Sequence, residues 1–215
     1  MNIPASKAAA LRDMRSTIAR ARVLRNRLAV EGKYEVAGQP VRPLPNPDKR
    51  DATVFIFFEA AAAFEAFCYE SFILAVRTKF NVGPKVADKL GGKIDGGTVL
   101  GWAAPPELVK RSKRIFGKRY FLSIFEAVGV LPADHYDWLK AAHRLRNRIA
   151  HPTSQSAINE IKNIRAALGI PAAMRGAGPG RILSDYPVGA AAGDRWFHRF
   201  LLAYESFANL VDARL

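Results

Sequence analysis

The run from Ala52 to Phe80 contains no glycine or proline and is apolar on nearly every side of a helical wheel, with Phe55, Phe57, Phe58, Phe64, Phe67 and Phe72 distributed around it. A helix that is hydrophobic all round must be surrounded by other elements, so this run predicts the central, most buried helix of the fold. Its apolar tract, Val54 to Val76, is interrupted by Glu59, Glu65 and Glu70, which suits a protein core better than lipid. Glu59 and Glu70 fall on nearly one line of the wheel, beside Ala62 and Ala66, whereas Glu65 lies roughly 120° away. A carboxylate buried there needs a partner, and the abundant arginines are the natural candidates.

The other segments arrange themselves around that helix. Ala5 to Glu31 is rich in helix formers and stops at Gly32, with Leu11, Met14, Ile18, Ala21, Arg25 and Leu28 along one line and further arginines on the remaining faces. It reads as a solvated amphipathic helix, with a dedicated basic binding arm as the alternative. Lys33 to Arg50, with Pro40, Pro43, Pro45 and Pro47, reads as a surface connection, and Asp51 as the cap of the central helix. The glycine-rich stretch from Asn81 to Pro106 has room for one short helix at Lys85 to Leu90. Beyond Pro106 a basic helix carries Lys110, Arg111, Lys113 and Arg114, with Phe116, Tyr120 and Phe121 nearby. Cations beside aromatic rings suit single-stranded nucleic acid, and a half-buried helix with a solvated basic face explains them as well. Helices are further expected over Phe121 to Val128, Pro132 to Ala150 and Ser156 to Leu168. Gly169 to Gly193 reads as a long irregular connection, and Asp194 as the cap of a final helix to Leu215. With no convincing strand pattern, residues 1–215 read as a single all-α domain, an up-and-down bundle of about four to six main helices with long Pro/Gly-rich connections.

Charge narrows the class of partner. Thirty-three Lys and Arg against nineteen Asp and Glu leave a formal charge of +14, which favours a polyanion: nucleic acid first, though an acidic protein or an anionic membrane surface satisfies the same arithmetic. A single cysteine, Cys68, rules out an internal disulfide and a cysteine-based zinc site. Charges throughout residues 1–15 argue against a secretory signal, so a cytoplasmic protein with no membrane partner is expected.

The chemistry is concentrated in Trp138 to Pro152. Trp138, Ala142, Leu145 and Ile149 recur at helical spacing and mark an inward face, while His143, Asn147 and His151 align along what the wheel makes the outer face. Arg146 sits on the flank of that line, about 140° from His151. Because His151 precedes Pro152, its backbone is pushed away from helical dihedrals and its ring can be aimed off the wheel position. A plain helix end with favourable terminal charges accounts for the same letters. No cofactor or metal is called for: His143 and His151 are about 12 Å apart along a helix, too far to share an ion.

Ala62-Ala63-Phe64-Glu65-Ala66-Phe67 in a long apolar helix, together with Leu145-Arg146-Asn147-Arg148-Ile149-Ala150-His151, resembles the ribonuclease-like, toxin-type branch of the HEPN superfamily over roughly residues 50–152. That resemblance implies a dimeric helical bundle and a metal-independent endoribonuclease whose Arg, four intervening residues and His correspond to Arg146 and His151. Asn147 matches the family's polar position after the arginine, and Glu65 its acidic residue on the long helix, with Glu59 and Glu70 as alternatives. In such a site His151 would take the proton of a ribose 2′-hydroxyl and Arg146 would offset charge on the phosphorus oxygens, leaving a 2′,3′-cyclic phosphate and a 5′-hydroxyl. The expected RNA contacts are Lys110, Arg111, Lys113, Arg114, His143, Arg144 and Arg148; the expected partners are RNA, a second copy of the chain, and an antitoxin or other acidic protein. A catalytically inactive binding module of the same fold stays open beside the enzyme. Leu24-Arg25-Asn26-Arg27-Leu28-Ala29 repeats the letters of Leu145 to Ala150 but ends in Val30, and reads as helix surface only.

A chain of this charge should lose nucleic-acid affinity steeply with salt, because neutralised phosphates release counterions. Fluorescence anisotropy with a labelled RNA at rising salt measures the slope; a flat response would mean that the basic surface does not contact RNA.

Overall fold

The structure is a computed structural model that describes residues 7–31, 33–34, 42–90, 108, 112–117, 131–153, 159–161, 163–164, 168–169, 178–185 and 194–214. The chain is all-α. Helix α1 (Lys7–Glu31) leads to a minimal antiparallel pair, β1 (Lys33–Tyr34) and β2 (Arg42–Pro43), with Lys33 opposite Pro43 and Tyr34 opposite Arg42. Then come α2 (Asn46–Phe80), α3 (Pro84–Leu90), α4 (Ala133–Ala150), α5 (Pro179–Ser184) and α6 (Trp196–Arg214). The helix predicted for Phe121 to Val128 lies outside the described residues, as do Lys110 and Arg111.

Helix α2 is the hub, packing against α1, α3, α4, α5 and α6. By length and composition alone it could cross a bilayer, yet half of its most apolar window is buried within this fold. It starts six residues earlier than the wheel implied, because Pro45 and Pro47 hold the φ that a first turn needs. Asp51 therefore lies inside the helix as an exposed side chain and is not its cap. The helix stops at Asn81, which takes the left-handed conformation (φ 50°, ψ 45°) and donates its backbone N–H to the Arg77 carbonyl.

The core is a ladder of rings between α2 and α6. Phe64 stacks on Tyr204 at 4.2 Å and meets the edge of Phe207 at 5.7 Å, and Phe57 tilts against Phe200 at 5.8 Å. Offset and edge-on contacts of this kind add roughly 0.5–1.5 kcal/mol each beyond the area they bury. The first turns of α2 are barer: Phe55 is 70% exposed. Helix α1 lays Leu11, Met14, Ile18 and Ala21 on the core along the predicted line, and Arg22 donates to both oxygens of Glu205 on α6 at 2.7 and 2.6 Å.

Three connections differ from expectation. The Gly169 to Gly193 stretch is not irregular throughout, since α5 buries Ile182 and Leu183. It can seat there because Gly180 presents no Cβ, which would come within 2.9 Å of the Arg50 carbonyl oxygen. Asp194 does not cap α6 by bonding a backbone N–H; its carboxylate takes Arg199 instead, at 2.7 Å, and that bond holds it below the usual carboxylate range. Phe116 is not free to stack on a base: it packs edge-on against Phe72 and lies parallel to Phe80, so residues 112–117 dock at the C-terminal end of α2.

Cys68 is buried on the α2 face that also holds Phe57, Phe64 and Ser71, and burial, reinforced by the nearby Glu65 charge, pushes its thiol well up from the ordinary value. Both access and thiolate are therefore suppressed. Native protein should react with a thiol reagent only about as fast as it unfolds, and rapid labelling without denaturant would misplace α2.

Candidate functional site

Glu65 sits midway along α2, flanked by buried Phe64 and Cys68, and is itself only 3% exposed. The charge that compensates it comes from α4. One guanidinium nitrogen of Arg146 lies 3.2 Å from Glu65 Oε2, and His143 Nδ1 lies 3.5 Å from Oε1. Arg146 uses its other terminal nitrogen to donate to the Asn147 side-chain oxygen at 3.2 Å, and the Asn147 amide nitrogen lies 3.0 Å from His143 Nε2. The four side chains thus close a ring. Arg146 orients the amide with its oxygen toward the guanidinium, so the amide nitrogen donates to His143 Nε2 and leaves the imidazole proton on Nδ1, facing Glu65. The Phe58 ring, 5.4 Å from the Arg146 guanidinium carbon, covers the cation from the side.

This arrangement overturns part of the wheel. His143 and Asn147 do not lie on an outer face; both are partly buried and turn toward α2. Arg146, expected off the apolar face, is 7% exposed and belongs to the interior. The reason is the buried carboxylate, which draws the polar strip of α4 inward beside Ala142 and Leu145. Only His151 of the predicted line is exposed. It terminates α4 with φ −129° and ψ 67°, off the helical region as a residue before proline should be, while its backbone N–H still bonds the Asn147 carbonyl at 2.9 Å.

Of the three candidate acids, Glu65 is the one at this ring. Glu59 is exposed and pairs with Arg20 at 3.4 Å. Glu70 is half-buried elsewhere, its carboxyl pushed up by burial and by the charge of Asp13. The look-alike Arg25 is not helix surface, being 6% exposed, and its charge helps burial to depress the His198 imidazole. Tyr204, stacked on Phe64, is raised well above the ordinary phenol value by burial and by Glu65.

The expected RNA contacts divide. Arg144 and Arg148 are half-exposed on α4, and Arg148 donates to the Pro152 carbonyl. Lys113 and Arg114 are exposed but dock with Phe116 near the far end of α2. The pocket beside Pro152 is lined by the first turns of that helix, so at about 1.5 Å per residue the two sets are separated by roughly 30–40 Å. Sequence reasoning missed Arg50 and Arg181, which the fold places beside Arg148. No pattern marks them, since they come from segments that read as connections. Among the described residues no group of three or more His, Cys, Asp or Glu could hold a metal ion. Comparison with family models, with curated proteins and with solved structures finds no match to this chain.

The ring has a thermodynamic signature. Removing one partner of a buried pair leaves the other charge unsolvated and costs about 3–5 kcal/mol, whereas replacing both by apolar residues is often neutral. Arg146→Ala and Glu65→Ala should each lower the denaturation midpoint strongly, and Glu65→Leu with Arg146→Met should recover most of the loss. Additive losses in urea titrations would dissolve the pair as a unit.

Proposed function

We propose that this protein is an endoribonuclease of HEPN type, in which exposed His151 performs proton transfer at the end of a helix held in place by the Glu65, Arg146, Asn147 and His143 ring. The supporting observation is the ring itself. A buried ion pair with two further polar side chains is a poor way to stabilise a core, since apolar residues of similar volume do as well or better. It is a good way to fix the rotation and end point of one helix, and that helix ends at His151. The resemblance of Arg146 to His151 to the HEPN pattern points the same way.

In this reading His151 removes the 2′-hydroxyl proton, the oxygen attacks the adjacent phosphorus, the P–O5′ bond breaks and the departing 5′-oxygen takes a proton from water, giving a 2′,3′-cyclic phosphate and a 5′-hydroxyl end. Arg146 acts by holding Asn147 and fixing the helix that ends at His151. Pairing of two copies about the α4 ends would bring two such sets into one groove. One observation favours a second reading, an inactive binding module: the Arg146 guanidinium is buried and shared between Glu65 and Asn147, so it is turned inward in the single chain.

The test is cleavage of single-stranded RNA in the presence of a chelator. His151→Ala should reduce the rate about 100- to 10,000-fold, the usual range for losing an acid-base group, with an unchanged melting temperature because the side chain is exposed. Arg27→Ala, an exposed position on α1, should cut normally and serves as the control. Intact RNA with wild-type protein, or equal cutting by His151→Ala, would leave the binding module as the reading that stands.

A further inference from the structure

A cavity of about 500 Å³ opens where the start of α2, the end of α4 and α5 meet. Arg50, Arg148 and Arg181 line it together with a single acid, Asp51, so its rim carries a net charge of +2 (three minus one). Val54 and Ile149 supply an apolar wall. Pro152 also lines it, which places the cavity directly beside His151.

Two of these guanidinium groups are already braced. Arg148 donates to the Pro152 carbonyl, and Arg181 lies 4.0 Å from Asp185. Among the described residues neither Arg50 nor Asp51 has an ion-pair partner. We propose that this cavity is a nucleotide subsite, binding the phosphate of one RNA residue through Arg50, Arg148 and Arg181 and its base against Val54 and Ile149.

The chemistry selects a nucleotide over simpler anions. Guanidinium forks match phosphate oxygens, and three arginines lining one cavity favour an anion there. An inorganic anion or an acidic peptide would gain nothing from the apolar wall and would offer Asp51 no hydrogen-bond donor comparable to a ribose hydroxyl or base amine. A nucleotide brings a planar face for Val54 and Ile149, and ribose hydroxyls and base amines that Asp51 can accept. The volume falls within the roughly 300–1,000 Å³ of ordinary small-ligand pockets, enough for a single residue and too small for a duplex. The location beside His151, and hence a role in presenting the scissile bond, rests on the nuclease reading; the binding does not.

The experiment measures binding of adenosine 5′-monophosphate by calorimetry, and of a short all-2′-deoxy strand, which the proposed chemistry cannot cleave, by anisotropy. Arg181→Glu, at a half-exposed position that should fold normally, and Arg50→Ala should each weaken both ligands roughly tenfold or more, as loss of a charged hydrogen bond does. Arg27→Ala, an exposed position on α1 away from the cavity, should bind both as wild type does. Inorganic phosphate and a poly-glutamate peptide should bind at least tenfold more weakly than the nucleotide. Unchanged nucleotide binding in a folded Arg181→Glu variant overturns the subsite, as does phosphate or the peptide binding as tightly as the nucleotide. If wild-type protein binds the nucleotide and loses it in Arg181→Glu yet leaves RNA intact, the subsite stands and the nuclease reading falls.

Discussion

The contact between Glu65 and Arg146 is the constraint on which the rest of this structure depends. A carboxylate in the middle of the most buried helix cannot remain ionised alone, and the protein answers it with a guanidinium from α4, whose polar strip faces it. Once that pair is made, the rotation of α4 about its axis is set. His143 and Asn147 follow inward because they lie three residues before and one after Arg146, and their hydrogen bonds complete the ring. A hydrophobic helix contact tolerates sliding by small steps, whereas this ring admits one register.

The register has consequences at a distance. It brings the C-terminal end of α4 to the first turns of α2, where Pro152, Arg148 and Ile149 meet Arg50, Asp51 and Val54, and α5 closes the third side. Gly180 is what allows α5 to approach that closely. The opposite end of α2 is built differently: there Phe72 and Phe80 receive Phe116, and the basic residues Lys113 and Arg114 ride on the same segment. One long helix thus separates two basic regions, and only one of them adjoins His151.

The elements themselves were largely legible in the order of residues. The all-α class, the central helix, the apolar line of α1, the short α3 and the termination of α4 at His151 all follow from periodicity and from proline and glycine placement. Where the local signal was ambiguous, boundaries moved: Pro45 and Pro47 looked like connection and proved to be a helix start, and α5 hid within a glycine-rich stretch. Arg146 was the clearest departure, because a wheel ranks arginine as surface and cannot register a buried partner on another helix.

By itself the sequence determined the all-α class and the central helix, that α2 must be enclosed, that the chain carries a strong positive charge, and that His151 stands at a helix end before a proline. Those are local or compositional properties, governed by dihedral preference, periodicity and charge count. Tertiary structure decided which of Glu59, Glu65 and Glu70 meets α4, whether Arg146 points to solvent or to the core, and that Arg50 and Arg181 stand beside Arg148. Each of those depends on how elements distant in sequence are set against one another: α4 on α2 through the charge pair at a buried carboxylate, and α5 on α2 through the close approach at Gly180.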